Sequence, residues 1–89
     1  MRREPEFFGE QELVLVHMAR RLKKALVLEK VLDAAGMDYV VETDRYLGGL
    51  LFPNERIGAF FYVLPEADSA ARQLIRDHGF QPYDKIRGK

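Results

Sequence analysis

Residues 57–64 read Ile-Gly-Ala-Phe-Phe-Tyr-Val-Leu and stop at Pro65. The branched and aromatic side chains make this run a strand, and proline closes it because it has no N–H to give to a ladder. Side chains of a strand alternate between its faces. Here both sets are apolar, with Phe60, Tyr62 and Leu64 on one side and Phe61 and Val63 on the other. A strand that is apolar on both faces is normally covered on both, so the fold must supply two covering layers for it.

The remaining periodicity supplies the neighbours. Residues 12–18, Glu-Leu-Val-Leu-Val-His-Met, form a short branched run that also sets Leu13 and Leu15 against Val14 and Val16. From Arg20 the spacing changes: Ala25, Leu28, Leu32 and Ala35 recur at three and four, Lys23, Lys30 and Asp33 take the opposite side, and Gly36 stands where a helix stops. Residues 37–43 alternate as a further strand. Glu66, Asp68 and Ser69 then open a second helix, which carries Ala67, Ala70, Ala71, Leu74 and Ile75 on one face and ends at Gly79. Residues 80–86 contain Pro82, which admits at most a short edge strand.

The order β-α-β-β-α-(β) predicts an α+β chain of ferredoxin-like type, a split βαβ antiparallel sheet with two helices on one face. Residues 1–11 form an N-terminal arm, 12–86 one domain and 87–89 a short tail. Eighty-nine residues leave no room for a second domain. Two helices cover only one face, so the other is expected to meet a second copy in a homodimer, through Phe61, Val63, Val14 and Val16. The alternative is that the arm, with Phe7 and Phe8, folds across the sheet of its own chain.

Charge and composition narrow the partners. Fourteen Lys and Arg balance fourteen Asp and Glu, so the basic excess of a dedicated nucleic-acid binder is missing. No run approaches the roughly 20 apolar residues of a membrane span, and no apolar segment follows Arg2 and Arg3 as in a secretion signal. The expectation is a cytoplasmic protein with neither nucleic acid nor membrane as partner. With no cysteine, disulfides, thiolate metal sites and Cys nucleophiles are excluded.

The run ALVLEKVLDAAGMDYVVETD at 25–44, the pair Gly48-Gly49 and the run FYVLPEADSAARQLI at 61–75 resemble a family of small prokaryotic signal-transducing proteins. The shared features are Ala34-Ala35-Gly36 before a strand, the glycine-bearing loop, and Val63-Leu64-Pro65-Glu66 leading to Ala71-Arg72. The resemblance covers residues 13–79. It implies a bacterial signalling module with a ferredoxin-like fold similar to the PII (GlnB-like) proteins.

Two stretches could hold a ligand. The connection at 44–56 is long for a hairpin and combines Arg45, Tyr46, Gly48, Gly49 and Arg56, which could grip a phosphate or carboxylate and stack on a planar group. The plainer reading is a hairpin broadened by a bulge, with Leu50, Leu51 and Phe52 folded onto the dimer interface. Arg20, Arg21, Lys23 and Lys24 crowd four cations where the helix dipole is already positive. An anion would relieve that conflict, although a solvated helix can also tolerate it.

His17 and His78 lie on different elements with no further ligand at metal spacing, so no metal site and no cofactor is expected. His78 suits a helix C-terminus, and a lone His17 reads as locally hydrogen-bonded or as a proton shuttle. Glu42 and Asp44 share a strand face but suit a solvated edge. No catalytic constellation emerges. The reading is a non-catalytic regulatory or signal-transducing module that binds a small anion or a protein partner; the alternative is a small dimeric α+β barrel enzyme acting on an apolar substrate.

Overall fold

The computed structural model describes residues 1–48 and 54–84. Three strands and two helices follow in the order β1 (Val14–Ala19), α1 (Leu22–Ala34), β2 (Val40–Gly48), β3 (Asn54–Val63) and α2 (Asp68–Asp77). Single turns of 3-10 helix, each opened by a proline, precede β1 at Pro5–Phe8 and α2 at Pro65–Ala67. The sheet is antiparallel with β3 in the centre, in the order β1-β3-β2. The chain is thus an α+β fold with both helices packed on one sheet face.

Both helices end by one device. Gly36 has φ +71° and Gly79 φ +84°, left-handed values that cost glycine nothing. The N–H of Gly36 donates to Asp33 O at 2.9 Å and that of Met37 to Leu32 O at 3.1 Å; Gly79 and Phe80 donate likewise to Arg76 O and Ile75 O at 2.9 and 3.0 Å. These are Schellman caps, in which the residue after glycine turns back onto the helix it ends. Met37 and Phe80 both pack against the core.

The helix-side core joins Val16 and Ala19 of β1, Ala25, Leu28 and Leu32 of α1, Phe61 and Val63 of β3, and Ala71 and Ile75 of α2, with Tyr39 at its edge. Val16, Phe61 and Val63 have no exposed surface, and Val14 packs against them. The face assignment expected for a dimer is therefore corrected. Phe61, Val63, Val14 and Val16 point to the helices, and the opposite face carries Leu15 across from Tyr62 and Met18 across from Phe60. Alternation separates the two sets but cannot say which one the helices take.

A bulge also disturbs the alternation of β1: Leu15 pairs with Tyr62 and His17 with Phe61, so Val16 is an extra residue. The neighbours Val16 and His17 are consequently both buried.

The arm is tied to the opposite sheet edge. Arg2 bridges Tyr39 in parallel, Arg3 N–H donates to Tyr39 O at 2.7 Å, and Arg3 Nε donates to Asp38 Oδ1 at 2.9 Å. From there the chain must reach β1 at the far edge. Phe8, 3% exposed, and Val40, 2% exposed, lie outside the helix-side core. Val40 pairs with Tyr62 on the face without helices.

Two further expectations are corrected. The stretch 44–56 is mostly not a loop, because β2 and β3 stay paired from Val40 with Tyr62 to Gly48 with Asn54. Since β1 pairs only as far as Ala59, the outer hairpin is a two-stranded ribbon. Asp44, Arg45, Asn54 and Glu55 are poor advertisements for a strand, and cross-strand pairing outweighs their propensity. Nor do residues 80–84 form a regular fourth strand. One backbone bond, Tyr83 N–H to Val16 O at 2.6 Å, joins them to β1, and Pro82 has no N–H to add another.

Candidate functional site

Beside the free edge of β1, residues 80–84 are held at three points. Tyr83 bonds Val16 through the backbone. Arg72 of α2, oriented by Asp68 at 2.8 Å, donates to Tyr83 O and, at 3.4 Å, to Leu15 O. The His17 ring donates from Nδ1 to Gln81 O at 2.8 Å. Because this segment stands off the strand rather than pairing along it, a cleft remains between it, the end of β1 and the start of α1.

The cleft consists of two adjoining open hollows of about 540 and 370 Å³ that share His17, Met18, Arg20 and Gln81. Tyr83 and Asp84 line the larger hollow. Arg21, Lys24, His78 and Phe80 line the smaller one.

The start of α1 faces this space with no cap and no acid from its own first turn. Arg21 occupies the N-cap with extended backbone and makes no side-chain cap bond, and the first turn contains no acid. The first helical bond is Ala25 N–H to Arg21 O at 3.1 Å, so the N–H groups before it are the donors a helix start leaves over. Those donors, the dipole and the side chains of Arg21 and Lys24 all favour an anion at the same place.

His17 adds the most constrained polar group. It is 7% exposed, with the Phe61 and Phe80 rings 6.0 and 5.6 Å from its own. Burial pushes its pKa below the ordinary value of 6.5, against a smaller upward pull from its bond to Gln81. The unfolded chain therefore binds a proton near pH 6.5 that the folded one refuses. Stability is full above pH 6.5 and falls as pH drops from there toward the lowered folded pKa. Urea unfolding should show the wild-type midpoint falling between pH 7.5 and 5.5 and that of His17→Phe falling less; parallel profiles would contradict this.

The cations expected to act together divide. Arg20, Arg21 and Lys24 line the cleft, whereas Lys23 is exposed on α1 and does not. Arg45, Tyr46 and Gly48 lie in β2 and Arg56 in β3, where Arg45 pairs with Ile57 and Tyr46 with Arg56. Arg45 and Arg56 do not line the cleft, although the ribbon leaves the sheet at the end where α1 begins, since Ala19 pairs with Ala59. Gly49 lies outside the described residues.

His78, Glu42 and Asp44 sit as read. His78 closes α2, its Nδ1 donating to Leu74 O at 3.0 Å. Glu42 and Asp44 are exposed, and with burial as the larger cause they raise the pKa of Tyr62. Among the described residues no three His, Cys, Asp or Glu side chains cluster as metal ligands, and no helix is long and apolar enough to cross a membrane.

The sequence signals for His17, Phe80, Gln81 and Tyr83 were slight. A bulge that buries a histidine is invisible to alternation, and the residues after Gly79 look like a failed strand rather than a wall. Comparisons of the chain with protein-family models, with curated proteins and with solved structures found no match.

Proposed function

We propose that the chain is a small non-catalytic regulatory module that binds an oxyanion in the cleft between the start of α1 and residues 80–84. The observation that carries this reading is the convergence there of an uncapped helix start, Arg21, Lys24 and a nearly buried histidine. A signal-transducing role fits such a site, since a bound anion would bridge α1 to the terminal segment and so convert ligand concentration into the position of that segment. We also read residues 80–84 as the counterpart of the edge strand in a ferredoxin-like sheet, antiparallel to β1 and interrupted by Pro82. The barrel-enzyme alternative needs a cavity between sheet and helices, where the core places Leu28, Leu32, Phe61 and Ile75 instead.

Inorganic phosphate titrated into uniformly labelled protein at low ionic strength tests this reading. Saturable amide shifts are expected at residues 17–25 and 78–84. Shifts confined to the ribbon, at 44–48 and 54–58, would move the site to Arg45 and Arg56, and an unchanged spectrum would remove it.

A further inference from the structure

The tautomer of His17 restricts which anion the cleft can take. Gln81 O can only accept, so Nδ1 must carry a hydrogen in the 2.8 Å bond between them. The ring is buried between Phe61 and Phe80, which keeps it neutral and leaves Nε2 as a bare lone pair. No buried side-chain nitrogen or oxygen among the described residues lacks a partner. Among the described residues Nε2 has no hydrogen-bond partner, so it meets solvent, and the open space that His17 lines is the cleft. The charged and titratable side chains lining that space with it are Arg20, Arg21, Lys24, His78, Tyr83 and Asp84.

Arg21 and Lys24 beside one inward lone pair, with Asp84 on the adjoining hollow, make a site mismatched to a fully deprotonated anion. An oxygen without hydrogen would face Nε2 lone pair to lone pair, while its other oxygens met Arg21 and Lys24. An oxyanion that keeps an O–H satisfies both demands, donating to Nε2 and accepting from the cations and the helix start. We propose that the cleft selects oxyanions carrying their own hydroxyl hydrogen, of which hydrogen phosphate is the simplest, and rejects those that carry none. This rests on the anion-binding reading and specifies its ligand class.

Phosphate and sulfate separate the two ideas, because near neutral pH phosphate always retains a hydrogen and sulfate has none. Calorimetric titration at pH 7 and matched ionic strength should show phosphate binding at least about tenfold more tightly than sulfate, the size of one hydrogen bond to a charged group. His17→Phe, which keeps a ring between Phe61 and Phe80, should bring the two anions within about twofold while still binding both. Equal wild-type affinity overturns the selectivity and leaves the anion site standing; binding of neither anion overturns both. Because His17→Phe gives up the bond to Gln81, the tautomer is also read in the unaltered protein by two-bond nitrogen–proton correlation. Protonated Nδ1 with bare Nε2 supports the proposal, and a hydrogen on Nε2 overturns it.

Discussion

Phe61→Ala is expected to remove about 3–5 kcal/mol of stability, the usual cost of emptying a wholly buried phenylalanine site. Phe61 has no exposed surface, stacks near Tyr39 with centroids 6.0 Å apart, and belongs to the cluster joining β1, α1 and α2. For a domain whose total stability is of the order of 5–15 kcal/mol, a loss of that size leaves much of the population unfolded on mild heating. Phe60→Ala, one residue away on the face without helices, should cost about 1 kcal/mol, because Phe60 is only half-buried. Denaturant unfolding at two protein concentrations reads the contrast. The Phe61→Ala loss should not depend on concentration, since it arises within one chain. A loss that vanished on dilution, or a larger effect at Phe60, would put Phe61 at an interface between copies and reverse the two sheet faces.

That contrast also marks how far the sequence could be read. Both helices were legible because two independent signals agreed: apolar residues at three- and four-residue spacing, and a glycine at each stop where the chain turns left-handed. The three strands were legible as runs of branched and aromatic side chains. Their faces were not, because β3 is apolar on both sides and the choice between Phe61 and Phe60 is made by where α1 and α2 dock. The ribbon was hidden for a different reason. Asp44, Arg45, Gly48, Asn54 and Glu55 have little strand propensity, and pairing across the hairpin, from Asp44 with Gly58 to Gly48 with Asn54, makes them strand.

The site was half legible. Four cations at a helix start conflict with the dipole, and that conflict pointed to Arg20, Arg21 and Lys24, all of which line the cleft. It also pointed to Lys23, which helical rotation carries elsewhere. The opposite wall escaped notice because its making is tertiary. Arg72 and His17 fasten residues 80–84 from two different elements, and no local pattern announces that they will meet there. Composition had no means of showing that a lone histidine would sit at the cleft with one nitrogen committed to a carbonyl.

Reversing the charges at the mouth of the cleft is the second large effect expected. Arg21→Glu together with Lys24→Glu replaces two cations by two anions beside the helix donors an anion would use. Each charge-assisted contact is worth about 1 kcal/mol once solvent screening is allowed for, and repulsion adds to the loss, so phosphate affinity should fall by about a hundredfold or more. The fold should survive, since both side chains are exposed and neither belongs to the core. Lys23→Glu is the matched control. It changes the same helix turn and net charge by one reversal but lies off the cleft, and it should cost about threefold or less through unscreened field alone.

Phosphate titration calorimetry on the unaltered protein, the Lys23→Glu variant and the Arg21→Glu/Lys24→Glu variant, all at low ionic strength, tests the central claim most directly. The account predicts one saturable site in the first two and its loss in the third, with all three unfolding at similar temperatures. Equal binding by all three would contradict it and place any anion site away from the start of α1.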